Sequence, residues 1–221
     1  MSGGTRRFFD AIAGRYERVY ALASGPSRER MRRVLAELPA APARVLDLGV
    51  GTGRELSILL DAGHEPTGID VSPAMIERCA RRARPVPLVE ADLWGPLPLP
   101  GASFDAAIAL HGTLAHPPDE AAPHRLGAEL ARVVRAGGVL VAEVPSVAWL
   151  ERLDELPRES DRVLRRTGPR TCVFEDRVAG VAIEARVLSD AEWTEALAPS
   201  WSTRVDALGA LERLVVARRR G

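Results

Sequence analysis

The sequence predicts an α/β fold with a doubly wound, mostly parallel sheet. Three observations lead to this prediction. Short apolar segments alternate along the chain with segments in which apolar residues recur at helical spacing. The segments between successive predicted strands are long enough for helical crossovers, which place helices on both faces of a parallel sheet. A segment with three glycines, residues 49–53, joins the first predicted strand to the next helix.

The composition is that of one globular domain. The chain has 221 residues, of which 46% are hydrophobic and 27% charged, enough to bury a substantial core. The 30 basic and 30 acidic side chains balance to a formal charge of zero, which disfavours a dedicated nucleic-acid binder. All the basic residues are arginine, which excludes a lysine Schiff base and a P-loop lysine.

The two cysteines and the apolar segments indicate whether a metal site is expected and where in the cell the protein is expected. Cys79 and Cys172 stand in no metal or redox spacing, and we expect two buried free thiols and no metal site. The N-terminal segment lacks the apolar stretch of a signal peptide. No apolar run approaches the roughly 18 residues that a membrane-spanning helix needs. We therefore expect a cytoplasmic protein without a membrane partner.

Two helices and then the sheet are predicted in the first two thirds of the chain. Helices are expected at residues 5–22, 28–38, 53–62, 73–83 and 120–135. Strands are expected at residues 44–48, 66–70, 86–90, 104–110 and 139–144. Pro73 suits the first turn of its helix, and the Gly137-Gly138 pair is expected to end the helix at 120–135.

The last third departs from this alternation. Residues 148–166 are predicted to be helical, and residues 170–177 and 181–188 to form a β-hairpin around a turn at 178–180. Ser189 and Glu192 stand three apart, as in a capping box, and predict a helix at 189–197. Two final strands are expected at 204–208 and 211–217, on either side of Gly209.

The glycine-rich loop predicts a ligand site at the carboxyl end of the first strand. Asp47 and Leu48 lead into Gly49, Gly51 and Gly53, and a helix follows. Glycine lets the backbone turn tightly and approach a ligand where a Cβ would collide, and a helix start offers unpaired N–H groups. Open α/β sheets place their sites at this edge. The carboxylate of Asp47 favours a ligand with an ammonium group over one with a pyrophosphate.

A dinucleotide-binding loop is the alternative interpretation of the same glycines. In the pattern G-x-G-x-x-G the third glycine would fall at Arg54, whereas the third glycine of this chain comes one residue earlier. An NAD-dependent oxidoreductase is therefore the second hypothesis for function. A catalytically silent partner subunit that binds a cofactor is the third.

Two further acids follow the next two predicted strands. Asp70 lies 21 positions after Gly49, where an acid can accept hydrogen bonds from ribose hydroxyls. Asp92 can accept a hydrogen bond from the exocyclic amine of adenine, and Leu93 could cover the adenine ring. Acids at three successive strand ends would therefore bracket a nucleoside.

With these residues the sequence resembles class I S-adenosylmethionine-dependent methyltransferases of the small-molecule type, strongly over residues 44–144 and loosely elsewhere. The motifs are the loop at 47–53, the acids Asp70 and Asp92, the segment at 103–110, and the turn at 135–138, where Ala136 replaces the usual proline. The resemblance implies a seven-stranded sheet with an antiparallel last strand, an N-terminal helical lid and S-adenosyl-L-methionine as cofactor. The implied cofactor-binding residues are Asp47, Leu48, Gly49, Gly51, Gly53, Asp70, Val71, Met75, Asp92, Leu93, His111 and Tyr16.

A histidine just past the fourth strand is the candidate catalytic residue. His111 is expected near the methyl-transfer site, where it would act as a base or else line the cofactor without moving a proton. His116 is expected to order the following loop. The extra hairpin is either part of the acceptor pocket, with Trp149, Arg170 or Arg177 reaching inward, or a solvated cover.

The predicted function is methyl transfer from S-adenosylmethionine to a small-molecule oxygen, nitrogen or carbon acceptor. The expected single domain comprises a lid (1–42), a cofactor-binding core (43–145), and an acceptor-side insertion with the C-terminal strands (146–221). The Asn-Pro-Pro-Tyr pattern is missing after the fourth strand, which disfavours a nucleobase acceptor, and no nucleic-acid partner is expected. The acceptor and the oligomeric state do not follow from the sequence.

Overall fold

The computed structural model describes residues 3–19, 27–155 and 161–221 as an α/β fold with two sheets. The strands are β1 (Arg44–Leu48), β2 (Glu65–Asp70), β3 (Leu88–Glu90), β4 (Phe104–Ala109), β5 (Val134–Pro145), β6 (Arg162–Arg166), β7 (Thr171–Asp176), β8 (Val181–Arg186), β9 (Trp201–Ala207) and β10 (Glu212–Arg219). The helices are α1 (Gly3–Ile12), α2 (Tyr16–Val19), α3 (Ser27–Glu37), α4 (Leu56–Asp61), α5 (Pro73–Arg82), α6 (Ala122–Val133), α7 (Val147–Glu151) and α8 (Asp190–Leu197).

The larger sheet has seven strands in the order β3-β2-β1-β4-β5-β10-β9. Strands β1 to β5 are mutually parallel, whereas β10 is antiparallel to both of its neighbours, β5 and β9. The predicted seven-stranded, doubly wound sheet with an antiparallel last strand is confirmed. Because β1 and β2 are parallel neighbours, their carboxyl ends, at Leu48 and Asp70, lie at the same edge.

The central strands are buried on both faces, as their continuous apolar sequence requires. Leu46 and Leu48 pack into one apolar cluster with α6 and α8, whereas Val45, the residue before Leu46, packs into a second cluster with α3 and α4. The two-residue period of a strand sends alternate side chains to opposite faces. This double covering fixes β1 in the middle of the fold and positions the glycine loop that follows it.

The single helix predicted at 5–22 is interrupted by a 3-10 turn at Ala13–Arg15. Two later helices also differ from their predicted bounds. Helix α4 begins at Leu56 rather than at Gly53, because the loop continues through turns after its third left-handed glycine, Gly53 (φ 76°). Helix α6 ends at Val133 rather than at the Gly137-Gly138 pair, because Val134 is already extended and pairs with β4. Gly138 instead allows its own backbone to lie close to the side chain of Val134, since a Cβ on Gly138 would lie 2.5 Å from Val134 Cγ1.

The segment after β5 contains the largest error of the sequence prediction. Of the described residues within 148–166, which are 148–155 and 161–166, only 148–151 are α-helical, within α7, and residues 162–166 form β6. The predicted hairpin of β7 and β8 is present, and β6 pairs antiparallel with β7 to make a three-stranded sheet. Leu164 of β6 and Phe174 of β7 pack on the same apolar cluster. Strand pairing therefore outweighs the weak helical pattern of this segment.

Other local predictions agree with the structure. Ser72 caps α5 by accepting a hydrogen bond from Met75 N, with Pro73 in the first turn. The capping box at Ser189 and Glu192 is formed. Both cysteines are free and buried. Among the helices of the described ranges, none combines the length and apolarity needed to cross a bilayer.

Candidate active site

A cleft of about 520 Å³ opens at the carboxyl ends of β1 and β2. The residues of the sequence prediction that line it are Tyr16, Gly49, Gly51, Asp70, Val71, Met75, Asp92 and Leu93. It is also lined by Thr5, Phe9, Trp94, Thr113 and His116. The structure therefore brings most of the predicted cofactor residues together.

Each glycine of the loop meets a different requirement. All three adopt left-handed backbone angles (φ 66°, 53° and 76° for Gly49, Gly51 and Gly53), which L side chains adopt only with strain. A Cβ on Gly49 would lie 2.5 Å from Thr113 Cγ2, and one on Gly53 would lie 2.6 Å from the sulfur of Cys79. A Cβ on Gly51 would meet nothing closer than 3.9 Å. Gly49 and Gly53 thus serve packing, while Gly51 leaves open space toward the cleft.

Asp47 carries a buried carboxyl group with an unmet hydrogen-bonding requirement. The residue is only 3% exposed, and no described residue forms a hydrogen bond with its Oδ2. Burial, together with the negative charges of Glu55 and Asp70, holds the pKa of Asp47 well above its ordinary value. A cation placed at this carboxyl would remove both penalties.

Asp70 ties the loop to the start of α5. Its Oδ2 accepts a hydrogen bond from Gly51 N and its Oδ1 accepts one from Ser72 N, both at 2.9 Å. Burial raises the pKa of Asp70, and these main-chain donors act in the opposite direction. The carboxyl group lines the cleft while it holds the loop in place. Asp92 is arranged similarly, since its Oδ1 accepts from Trp94 N at 3.1 Å.

The N-terminal segment lies against the cleft. Asp10 of α1 accepts a hydrogen bond from Ser72 Oγ at 2.6 Å, and Glu17 of α2 pairs with Arg82 of α5 at 2.6 Å. Tyr16 lines the cleft, and burial raises its pKa to about 12. A helical cover over the loop is therefore present over residues 3–19. The remainder of the predicted first helix, residues 20–22, lies outside the described residues.

A buried ion pair joins this N-terminal segment to the three-stranded sheet. Arg15 NH1 lies 2.8 Å from Oδ1 of Asp176, a residue that is fully buried at the end of β7. Arg15 NH2 also contacts Asp161 at 2.5 Å. Helix α1 and strand β8 pack together near Phe8 and Ile183. The small sheet therefore packs behind the N-terminal segment that lines the cleft.

His111 is held by two glutamates rather than placed in the cleft lining. Its Nε2 lies 2.7 Å from Glu55 Oε1, and its backbone N donates to Glu143 Oε2 at 3.2 Å. Glu143 is paired in turn with Arg30 at 2.9 Å. The backbone of His111 is left-handed (φ 55°), an uncommon conformation for a residue with a Cβ.

His116 lies in the cleft lining, five residues further along the chain. Its Nδ1 is 2.8 Å from the carbonyl oxygen of Glu184 in β8. Its ring has edge-to-face contacts with Phe9 and Phe174, at centroid distances of 6.0 and 6.3 Å. Burial lowers the pKa of His116, so that the neutral ring is favoured at neutral pH.

Comparison with known proteins identifies the family. The model of a methyltransferase domain matches residues 45–138. A trans-aconitate 2-methyltransferase from Acidovorax ebreus (strain TPSY) is 30% identical over 196 residues, which cover 86% of this chain and 68% of the relative. The chain belongs to the S-adenosylmethionine-dependent methyltransferases. S-adenosylmethionine is therefore its cofactor, and the predicted enzyme class is confirmed against the nicotinamide-dependent alternative.

Two more comparisons set the limits of this similarity. A putative 23S rRNA (guanine-N(1)-)-methyltransferase from Micromonospora griseorubida is 35% identical over 149 residues. This match covers 64% of this chain but only 47% of the relative. The structure of the CcbJ methyltransferase from Streptomyces caelestis has a TM-score of 0.77 at 20% identity and covers 97% of this chain and 98% of that one. The likeness to CcbJ shows the fold.

The residues predicted to reach into an acceptor pocket of the methyltransferase lie elsewhere. Arg170 pairs with Glu192 at 2.9 Å, and Arg177 lies 3.7 Å from Glu175. Trp149 stacks on Phe174 at a centroid distance of 6.0 Å, behind the ring that contacts His116. None of these three side chains is among those that line the cleft.

Several residues of the cleft were missed by sequence reasoning. Phe9 and Thr5 lie on a helix whose position over the loop follows from packing alone. Thr113 fills the space left by the missing side chain of Gly49. Glu55 lies two residues after Gly53, the last glycine of the loop. Its closeness along the chain to this loop and to Asp47 was the available signal. None of the four stands in a spacing that predicts its role.

Proposed function

We propose that this methyltransferase transfers the methyl group of S-adenosylmethionine to a small-molecule acceptor in the cleft. The observation that carries the proposal is the buried carboxyl of Asp47, unpartnered at Oδ2, directly before a loop that is open at Gly51. A positively charged ligand would supply the interaction that this carboxyl lacks. The residues present therefore fit a cofactor that carries an ammonium and a sulfonium group.

The proposed roles of the residues follow from their positions. Backbone at Gly49 and Gly51 allows close approach of the cofactor. The carboxyl of Asp70 faces the ribose, and Asp92 and Leu93 hold the adenine. The remaining predicted residues (Leu48, Gly53, Val71, Met75 and Tyr16) support or line this site. When bound, the cofactor supplies an activated methyl group, and the chain contributes mainly alignment and exclusion of water.

The proposed division of the chain follows the same arrangement: a lid in residues 1–42, a core in 43–145, and an acceptor side in 146–221. For His111 we propose a supporting role in place of the two predicted ones. The hydrogen bonds to Glu55 and Glu143 hold the turn after β4, so that Thr113 packs at Gly49. His111 would thus order the site without moving a proton.

Three features support a small acceptor rather than RNA. The cleft is lined by Thr5 and Phe9 of α1, and its ionisable lining includes Asp70 and Asp92. Carboxylates repel a phosphate backbone. A relative that acts on trans-aconitate, by its name, matches most of this chain. The relative named for rRNA makes RNA the competing acceptor.

Calorimetry and label transfer test this proposal together. S-adenosylmethionine and its demethylated product should bind, while NAD should not. The chain is then incubated with methyl-labelled cofactor and either a deproteinised small-metabolite extract or total RNA. Label in the small-metabolite fraction is the expected result. Label in RNA alone would refute the small-molecule acceptor, and cofactor binding without transfer to either fraction would favour the silent partner subunit.

A further inference from the structure

The wall of the cleft opposite the glycine loop contains a histidine with a fixed tautomer. The group facing Nδ1 of His116 is the main-chain carbonyl of Glu184, at 2.8 Å. A carbonyl oxygen only accepts hydrogen bonds, so Nδ1 must carry the proton and donate. In the neutral ring, Nε2 then holds a lone pair and can only accept.

The surroundings of His116 leave Nε2 available to a ligand. Within the part of the chain that the structure describes, Nε2 has no hydrogen-bond partner. The ring is held from two sides by edge-to-face contacts with Phe9 of α1 and Phe174 of β7. Phe174 is backed in turn by Trp149. The imidazole is therefore oriented by packing and by one hydrogen bond, and it presents a hydrogen-bond acceptor at the cleft.

The charge of the cleft restricts which acceptors it suits. Its ionisable lining residues, within the described ranges, are Tyr16, Asp70, Asp92 and His116, and no arginine is among them. Arg54 lies close enough to Tyr16 to act on its pKa but is not in the lining. A carboxylate acceptor beside His116 would meet a hydrogen-bond acceptor and no cationic side chain of the lining. A hydroxyl or amine acceptor has a proton to donate to Nε2.

We infer that His116 is the catalytic base of this enzyme and that the acceptor is a hydroxyl or amine compound rather than a carboxylate. The inference rests on the proposed function. The acceptor O–H or N–H donates to Nε2. As the acceptor atom forms its bond to the methyl carbon, the carbon–sulfur bond breaks and its electron pair stays on sulfur, which becomes neutral. The acceptor proton moves to Nε2, and the imidazolium later releases it to water.

Two variants separate the base from the packing. In His116→Asn, the side-chain amide can still donate to the Glu184 carbonyl, but no group is left to accept a proton at the position of Nε2. His124→Asn, at an exposed position of α6, is the matched control. The melting temperature should be the same as that of wild type in both variants. The affinity for S-adenosylmethionine should stay within about twofold of the wild-type value. These two readouts show that the fold and the cofactor site are intact.

The decisive measurement is methyl transfer from labelled cofactor to a panel of phenols, aliphatic alcohols, primary amines and carboxylic acids. Wild type and His124→Asn are expected to methylate a hydroxyl or amine compound. The rate in His116→Asn should fall by about 100- to 10,000-fold, the usual contribution of a general base. Separate alcohol and amine arms identify which of the two is the acceptor. Unchanged turnover in His116→Asn, or transfer to carboxylic acids alone, would overturn the inference.

A second readout does not depend on the acceptor. Nitrogen NMR of the wild-type ring should show a protonated Nδ1 and an unprotonated Nε2 on His116 at neutral pH. A protonated Nε2 with a bare Nδ1 would refute the assignment, whichever compounds react. If wild type binds S-adenosylmethionine but methylates nothing, the proposed function fails while the ring state is still tested. Loss of transfer in His111→Gln together with full transfer in His116→Asn would assign the base to His111.

Discussion

Replacing Asp47 with asparagine should stabilise the cofactor-free protein and weaken cofactor binding at the same time. In the free protein the Asp47 carboxyl is 3% exposed, its Oδ2 is unpartnered, and it lies near Glu55 and Asp70. An unsatisfied buried polar group costs about 1–3 kcal/mol, and more when charged. Asparagine of the same shape removes the charge, so we expect the free energy of unfolding to rise by about 1–3 kcal/mol.

This gain corresponds to a melting temperature about 2–12 °C higher, since 1 kcal/mol shifts a domain of this size by about 2–4 °C. The same change removes a charged interaction with the cofactor, worth about 1.5–3 kcal/mol, so the affinity for S-adenosylmethionine should fall by about 10- to 100-fold. A buried charge destabilises the empty site and is stabilised when the ligand binds. Removing the charge is therefore expected to raise stability and to lower affinity.

The stability difference should also depend on pH with a definite sign. Because the pKa of Asp47 is raised on folding, the folded chain keeps a proton that the unfolded chain has lost, over the range between the ordinary and the raised pKa. The free energy of unfolding of wild type therefore falls as pH rises through this range. Asparagine does not titrate, so the advantage of Asp47→Asn should be larger at pH 8 than at pH 5.

The assays are thermal unfolding at several pH values and calorimetry with S-adenosylmethionine. Asp176→Asn is the matched control, because Asp176 is also fully buried but is paired with Arg15 at 2.8 Å. This variant should lower the melting temperature. A lower melting temperature for Asp47→Asn in the free protein, or an unchanged cofactor affinity, would refute the reasoning.

Three further substitutions test the loop and the cover. Asp70→Asn should reduce S-adenosylmethionine affinity by about 10- to 100-fold through loss of charged hydrogen bonds, measured by calorimetry; equal affinity would remove Asp70 from the site. Gly49→Ala should abolish cofactor binding, because its Cβ would lie 2.5 Å from Thr113 Cγ2 at φ 66°; Gly49→Ala with Thr113→Ser should recover little, since the backbone strain remains. Arg15→Met leaves Asp176 buried without this partner and should cost about 3–5 kcal/mol in urea unfolding; a loss below 1 kcal/mol would show that the pair contributes little.

Local signals in the sequence were sufficient for the main sheet. The first strand was predicted with its observed bounds, Arg44–Leu48. Prolines precede this short apolar run and glycines follow it, so that few other strand bounds were possible. The caps at Ser72 and Ser189 were predicted because their hydrogen bonds join residues three apart. Residues 162–166 were predicted as helix, because their strand is defined by pairing with β7, which the local pattern does not contain.

The same division applies to the site. Asp47, Gly51 and Asp70 were predicted because a strand, a turn and a helix start hold them in a fixed local order, whatever surrounds them. That Asp47 Oδ2 lacks a partner, that His111 is engaged by Glu55, and that the Glu184 carbonyl orients His116 were decided by contacts between distant segments. His116 and Glu184 are 68 positions apart, and only the packing of β8 against the cleft brings them together.

The sequence by itself thus determined the cofactor half of this enzyme, since that half is built from short stretches in which composition dictates backbone shape. The tertiary structure decided the side of the cleft formed by α1 and the turn after β4, which the small sheet supports from behind. These segments carry no shared pattern along the chain, and they meet only when their apolar faces are buried together.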